Sequence, residues 1–243
     1  MGGYVFLKEK AEEQAERWTA MLDKWGLPYF HMVDCAHRAE KFSILSAEEC
    51  DLAAREAIQI IKDTASTGVC VTILETDYLE IMPKVDFYGS AYDALARDVM
   101  TGVATWIESS KFDGLMHYYF EGGVGTESNA SRSILEMMKD SGLRAQSRYE
   151  GHSFVCKVRS PGVQAADILA WHAGQDCKRS LRGERMRRDF QSLNEIPHRV
   201  VHYTRKMLEE AADTIRCVLR EEGLTAEIAN ALHGFAKPSP NRS

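Results

Sequence analysis

Asp167 sits where a carboxylate is expensive. The segment from Ser160 to Cys177 reads SPGVQAADILAWHAGQDC. On a helix, position 167 shares a face with Val163, Gln164, Ala170 and Trp171. That face is apolar apart from Gln164. An ionised carboxylate there is costly unless it is paired or binds a cation. Asp167 is therefore a candidate metal ligand, or the partner of an arginine, or a group facing a solvent gap. Gln164, one turn earlier, is the polar neighbour that would support it.

Glu121 is the second candidate. It ends the apolar run LMHYYF and is followed at once by Gly122-Gly123. Ligands of open α/β sheets sit beyond the carboxyl ends of strands, and glycines there let a phosphate or metal approach the backbone. The alternative is an ordinary turn with a solvated glutamate. Taken together, a strand-end acid and a helix acid are what a magnesium site needs, because magnesium takes few protein carboxylates and keeps waters. Such ions activate water and stabilise the leaving oxygen of a phosphodiester. His31-x-x-Asp34 is a third cluster, able to assist as His31 and Asp34 near the metal, or to contain only a hydrogen-bonded core histidine.

Basic residues gather after the Asp167 helix. Lys178, Arg179, Arg182, Arg185, Arg187 and Arg188 fall within 11 positions, with Glu184 the one acid among them. Lys178, Arg179, Arg182 and Arg185 are candidate contacts to a nucleic-acid backbone, or they form a solvated helix face.

The elements that must position these residues are legible from pattern. Lys8 to Lys24 predicts a helix ending near Gly26, and Pro28 to Val33 (PYFHMV) a short strand. Ser46 to Glu49 is a capping box that opens a helix to Thr64. Val69 to Leu74, Leu115 to Phe120 and Ser153 to Val158 predict strands. Helices are expected over 91–109, over 126–141 with Gly142 closing it, and from Pro161 to Cys177 with proline at the first helical position. A long helix is expected over 198–222, with a short one after Gly223. Apolar strands alternating with helices argue for an α/β sheet flanked by helices.

The chain has 243 residues, 44% hydrophobic and 27% charged, which is ordinary globular usage. The net charge of −6 gives no global field that recruits nucleic acid. Six scattered cysteines without a Cys-x-x-Cys pair argue for free thiols rather than a disulfide framework. The start lacks an apolar core of signal-peptide length, and no run is long enough to span a membrane. A cytoplasmic location is expected. There is no Gly-x-Gly-x-x-Gly run, Walker loop or Gly-x-Ser-x-Gly elbow, which argues against a nucleotide-dependent or serine-hydrolase enzyme.

VQAADILAW (163–171) resembles the Gln-x-Ala-Asp-x-x-Ala-Trp signature of the domain-of-unknown-function 3800 family. YFHMVD (29–34), the VCVTIL strand and YYFEGG (118–123) follow the family's order, so the resemblance covers residues 3 to 180. That family resembles the ribonuclease-H-like superfamily. The resemblance implies a ribonuclease-H-like mixed sheet over residues 1–196; the sequence pattern beyond it suggests a helical extension over 197–235, and the polar KPSPNRS end a flexible tail over 236–243. It implies that Glu121 and Asp167 hold magnesium or manganese in a nuclease or related phosphodiester-cleaving enzyme. The alternative is a catalytically inactive protein of this fold that binds nucleic acid or a protein partner. The family's opening Asp-Glu-Ser-Gly strand, which carries its first acid, has no counterpart here. The resemblance thus implies an N-terminally truncated sheet and poor stability of the chain as written: either Met1 is an internal methionine, with an Asp-Glu-Ser-Gly run encoded upstream, or this copy has lost the first acid.

Overall fold

A computed structural model describes residues 1–82, 90–122 and 127–221. The fold is built on strand β2 (Thr67–Ile73), whose sequence TGVCVTI buries its first five residues. β-branched and apolar residues suit a strand covered on both faces. β1 (Gly2–Val5) lies antiparallel on one edge, with Gly2 opposite Cys70. β5 (His198–Tyr203) lies parallel on the other, with Cys70 opposite Val200. A second, two-stranded parallel sheet pairs β3 (Met116–Glu121) with β4 (Tyr149–Val155).

The long helices carry clear start and stop signals. Helix α1 (Lys8–Trp25) ends at Gly26, which takes the left-handed conformation at φ 65°. A short helix α2 (Met32–His37) follows. Helix α3 (Ala47–Thr64) opens with the reciprocal Ser46/Glu49 cap, as the sequence predicts. Helix α4 (Glu75–Ile81) follows β2, and α5 (Ala91–Ser110) has its own reciprocal cap from Ser90 and Asp93. After α6 (Glu127–Met137) and α7 (Ser141–Gln146) comes α8 (Pro161–Leu181), with Pro161 at its first turn. Helices α9 (Arg188–Leu193) and α10 (Arg205–Glu221) flank β5.

Three apolar clusters bind these elements. In the first, Trp18, Phe30, Phe42, Ile61, Ile168 and Leu169 join α1, α3 and α8. In the second, Val5, Val69, Val103 and Ile107 meet Tyr118 and Phe120, so both sheets share one core beneath α5. The third joins α4, α5 and α10 through Tyr78, Ile81, Ala94, Leu208 and Ala212. Arg205 clasps it from outside by pairing with Glu80 and Asp77.

Four sequence expectations need correction. Residues 28–33 are not a strand: Phe30 and Met32 give their backbone N–H groups to side chains of α8, and α2 begins at Met32. Gly142 does not close α6, because Asp140 caps a new helix by accepting from the Leu143 N–H. The third predicted strand is β4, shifted four residues earlier to start at Tyr149. After Val155 the chain turns into a short 3-10 segment, Lys157–Arg159. The helix expected from His198 begins instead as β5, whose HRVVHY run completes the sheet beside β2. Helix α10 starts only after Thr204. The short helix expected after Gly223, the tail over 236–243 and Gly123 lie outside the described residues.

No helix among the described residues is long and apolar enough to cross a membrane. All six cysteines are free thiols, with Cys35, Cys50 and Cys70 buried.

Gly102 on α5 lies so close to β2 that an added Cβ would sit 2.5 Å from Val69 Cγ1. Valine is stiff at χ1 and cannot swing aside. Gly102→Ala should destabilise the fold by about 1–3 kcal/mol. Gly174 on α8 faces open space. Gly174→Ala should stabilise by about 0.5–1 kcal/mol. Urea denaturation of both variants checks the pair, and equal shifts of one sign would refute this packing.

Candidate active site

The site lies beyond the C-terminal ends of β3 and β4. Glu121 is the last residue of β3. Lys157 follows the end of β4 in the 3-10 turn. Asp167 lies in the second turn of α8, and His31 and Asp34 stand at the start of α2.

A buried carboxamide ties these segments together. Gln164 is 1% exposed. Its Oε1 accepts from Trp18 Nε1 at 2.8 Å and from the Phe30 N–H at 2.7 Å. Its Nε2 donates to the Lys157 carbonyl at 2.8 Å and to the Val158 carbonyl at 3.4 Å. Every hydrogen-bonding position of the amide is used. One side chain thereby fixes α1, the chain before α2 and the turn that carries Lys157.

Asp167 is held just beyond it. Its Oδ2 accepts from the Met32 N–H at 2.9 Å, and its Oδ1 accepts from Lys157 Nζ at 3.0 Å. Lys157 Nζ also lies 3.2 Å from Glu121 Oε1. The two predicted acids therefore converge on one cation, the ammonium of a lysine. Burial pulls the Lys157 pKa down. The Asp167 and Glu121 carboxylates outweigh that and hold it above the usual lysine range. His31 Nδ1 lies 2.8 Å from Asp34 Oδ2, and His31 Nε2 lies 3.8 Å from Asp167 Oδ1. Asp34 thus orients the imidazole toward Asp167.

The structure brings Glu121, Asp167, His31, Asp34 and Gln164 together, as the sequence reading grouped them. Sequence reasoning missed Lys157. Its only signal was a lysine closing an apolar strand ten residues before an aspartate in need of a cation. Lys178, Arg179, Arg182 and Arg185 lie elsewhere. Lys178 is eleven residues beyond Asp167 on α8, about 16 Å along the axis. Arg179 pairs with Glu184 at 3.0 Å and donates to the Arg185 carbonyl, and Arg182 lies 3.9 Å from Glu184.

Hard carboxylate oxygens suit magnesium or manganese. Among the described residues no group of three or more His, Cys, Asp or Glu has metal-binding geometry. Glu121 and Asp167 offer two carboxylates, and magnesium that keeps several waters binds through one or two. Comparison of the chain with family models, curated proteins and solved structures finds no match.

Gln164→Leu would orphan the Trp18 and Phe30 donors in the core. Each stranded group costs about 1–3 kcal/mol, so a loss of about 3 kcal/mol or more is expected in urea melts. A loss below about 1 kcal/mol would show that the carboxamide is not the anchor.

One turn past Asp167 on α8, His172 is also buried. Burial pushes its pKa down to about 4, with Asp189 opposing and Arg187 adding to the shift. The folded state then refuses a proton that the unfolded chain takes up near pH 6.5. Stability from this group is full above pH 6.5 and is lost as pH falls toward 4, by about 1.4 kcal/mol per pH unit. His172→Gln should flatten the pH dependence of the unfolding free energy in that window. An unchanged slope would rule out a buried neutral histidine.

Proposed function

We propose that the chain is a divalent-metal-dependent nuclease or related phosphodiester-cleaving enzyme with a ribonuclease-H-like arrangement. The carrying observation is that Glu121 and Asp167 already converge on a single cation, within 3.2 Å and 3.0 Å of Lys157 Nζ. A position shaped for a charge of +1 between two carboxylates is a starting geometry for a metal. The antiparallel β1–β2 pair, the parallel β3–β4 pair and α8 packed on β1, β2 and β3 support the fold reading. They also support kinship with the domain-of-unknown-function 3800 family.

In this reading Glu121 and Asp167 hold magnesium or manganese, which supplies polarisation of a phosphodiester and an activated water. Lys157 stays protonated and neutralises phosphate charge near the acids. His31, oriented by Asp34, is placed to take or give a proton beside Asp167.

One observation favours a second reading, a non-catalytic binding protein of the same fold. Both Asp167 oxygens are already satisfied, by Lys157 and by the Met32 N–H. Calorimetry with manganese separates the two, since a site closed by Lys157 takes up no metal.

Asp167→Asn keeps the shape and removes the charge. It should reduce manganese-stimulated cleavage of DNA or RNA at least 100-fold while the thermal midpoint moves by only a few degrees. Wild-type protein that neither binds manganese nor cleaves either polymer would refute the enzymatic reading.

A further inference from the structure

A groove of about 970 Å³ opens between α2, α3, α8 and α9. Arg38, Arg55, Arg187 and Arg188 line it. Arg187 is neutralised by a forked pair with Asp189, at 2.7 Å for the closest contact. Among the described residues, Arg38, Arg55 and Arg188 have no ion-pair partner. Asp51 is the remaining acid on the wall. The unpaired charges leave a local balance of +2 (three arginines against one aspartate) on a chain whose net charge is −6. A positive concavity on an acidic chain is selective for anions.

Two further residues point to what the anion carries. Trp171 lines the groove with the Arg187 guanidinium 5.2 Å from its ring centre. Beside it His172 is 1% exposed, and neither ring nitrogen has a protein partner. The nearest carboxylate oxygen, on Asp189, is 3.8 Å away. A buried imidazole with a free donor and a free acceptor matches the polar edge of a nucleobase. Guanidinium groups for phosphates and an aromatic face for a base are the parts of single-strand binding channels. A duplex keeps its bases stacked inside and presents none to Trp171.

The groove also adjoins the acid cluster. Met32 lines it, and the Met32 N–H donates to Asp167. Helix α2 runs from that contact to Arg38, about 9 Å for its six residues.

We propose that this groove binds single-stranded nucleic acid, with Arg38, Arg55 and Arg188 on the phosphates and Trp171 and His172 against a base. That the strand is then cleaved rests on the metal-dependent reading above; that the groove binds it does not.

The test is fluorescence anisotropy with labelled 12-nucleotide single-stranded DNA and RNA, in chelator and across a salt series. Arg55 and Arg188 are exposed, so Arg55→Ala/Arg188→Ala should fold normally, which circular dichroism checks. The double variant should bind at least tenfold more weakly. Its salt slope should fall by about 1.4, or about 0.7 per arginine removed from a single strand. Asp167→Asn should bind like wild type and fail only in cleavage. Three outcomes overturn the proposal. They are no binding by wild type, binding that the double variant leaves unchanged but Arg179→Ala/Arg182→Ala abolishes, and full competition by equimolar mononucleotide or inorganic phosphate. Groove-dependent binding without cleavage supports the groove and counts against the enzymatic reading alone.

Discussion

The placement of Asp167 depends on the buried carboxamide of Gln164. A glutamine with all its hydrogen bonds made inside a core is a specific joint, since any displacement strands a donor or an acceptor. Here the joint holds α1, the chain entering α2 and the turn after β4 against the first turn of α8. Trp18 and Phe30 are 146 and 134 residues from Gln164 in sequence, and no strand pairing joins the two regions. The candidate site is thus positioned by side-chain hydrogen bonds between helices and turns, while the sheet supplies only Glu121.

This division explains which parts were legible in the sequence. Helices α1, α3 and α8 announced themselves through a terminal glycine, a capping box and an N-terminal proline, all local signals. β2 and β3 announced themselves as apolar runs. PYFHMV misled because Phe30 and Met32 are buried two residues apart, as strand residues would be, but their backbone donors go to Gln164 and Asp167. Backbone N–H groups leave no mark in a side-chain pattern. HRVVHY was hidden by the helical pattern that follows it, and only pairing with β2 reveals it. The apolar helix face around Asp167 shows in the sequence that its charge needs a partner or a cation. That the structure supplies a lysine is a tertiary fact, since Lys157 reaches it by way of a turn.

The arginines divide along the same line. Those clustered in sequence after α8 spend much of their charge on Glu184 and on local carbonyls. The last two of the cluster, Arg187 and Arg188, instead line one concavity with Arg38 and Arg55, more than a hundred residues away in sequence. Sequence density of charge and spatial density of charge are different quantities, and ligands respond to the second.

Lys157 has one more consequence. Its ammonium is a tethered counter-ion, present at the two carboxylates at an effective concentration that no free ion in dilute buffer reaches. Because those carboxylates keep it protonated, pH does not release it in the neutral range. Entry of any other cation at that position is an exchange reaction, governed by competition with the tether. Occupancy is then set by charge density and by what the displaced ammonium contacts next, and an incoming phosphate is the partner best suited to receive it.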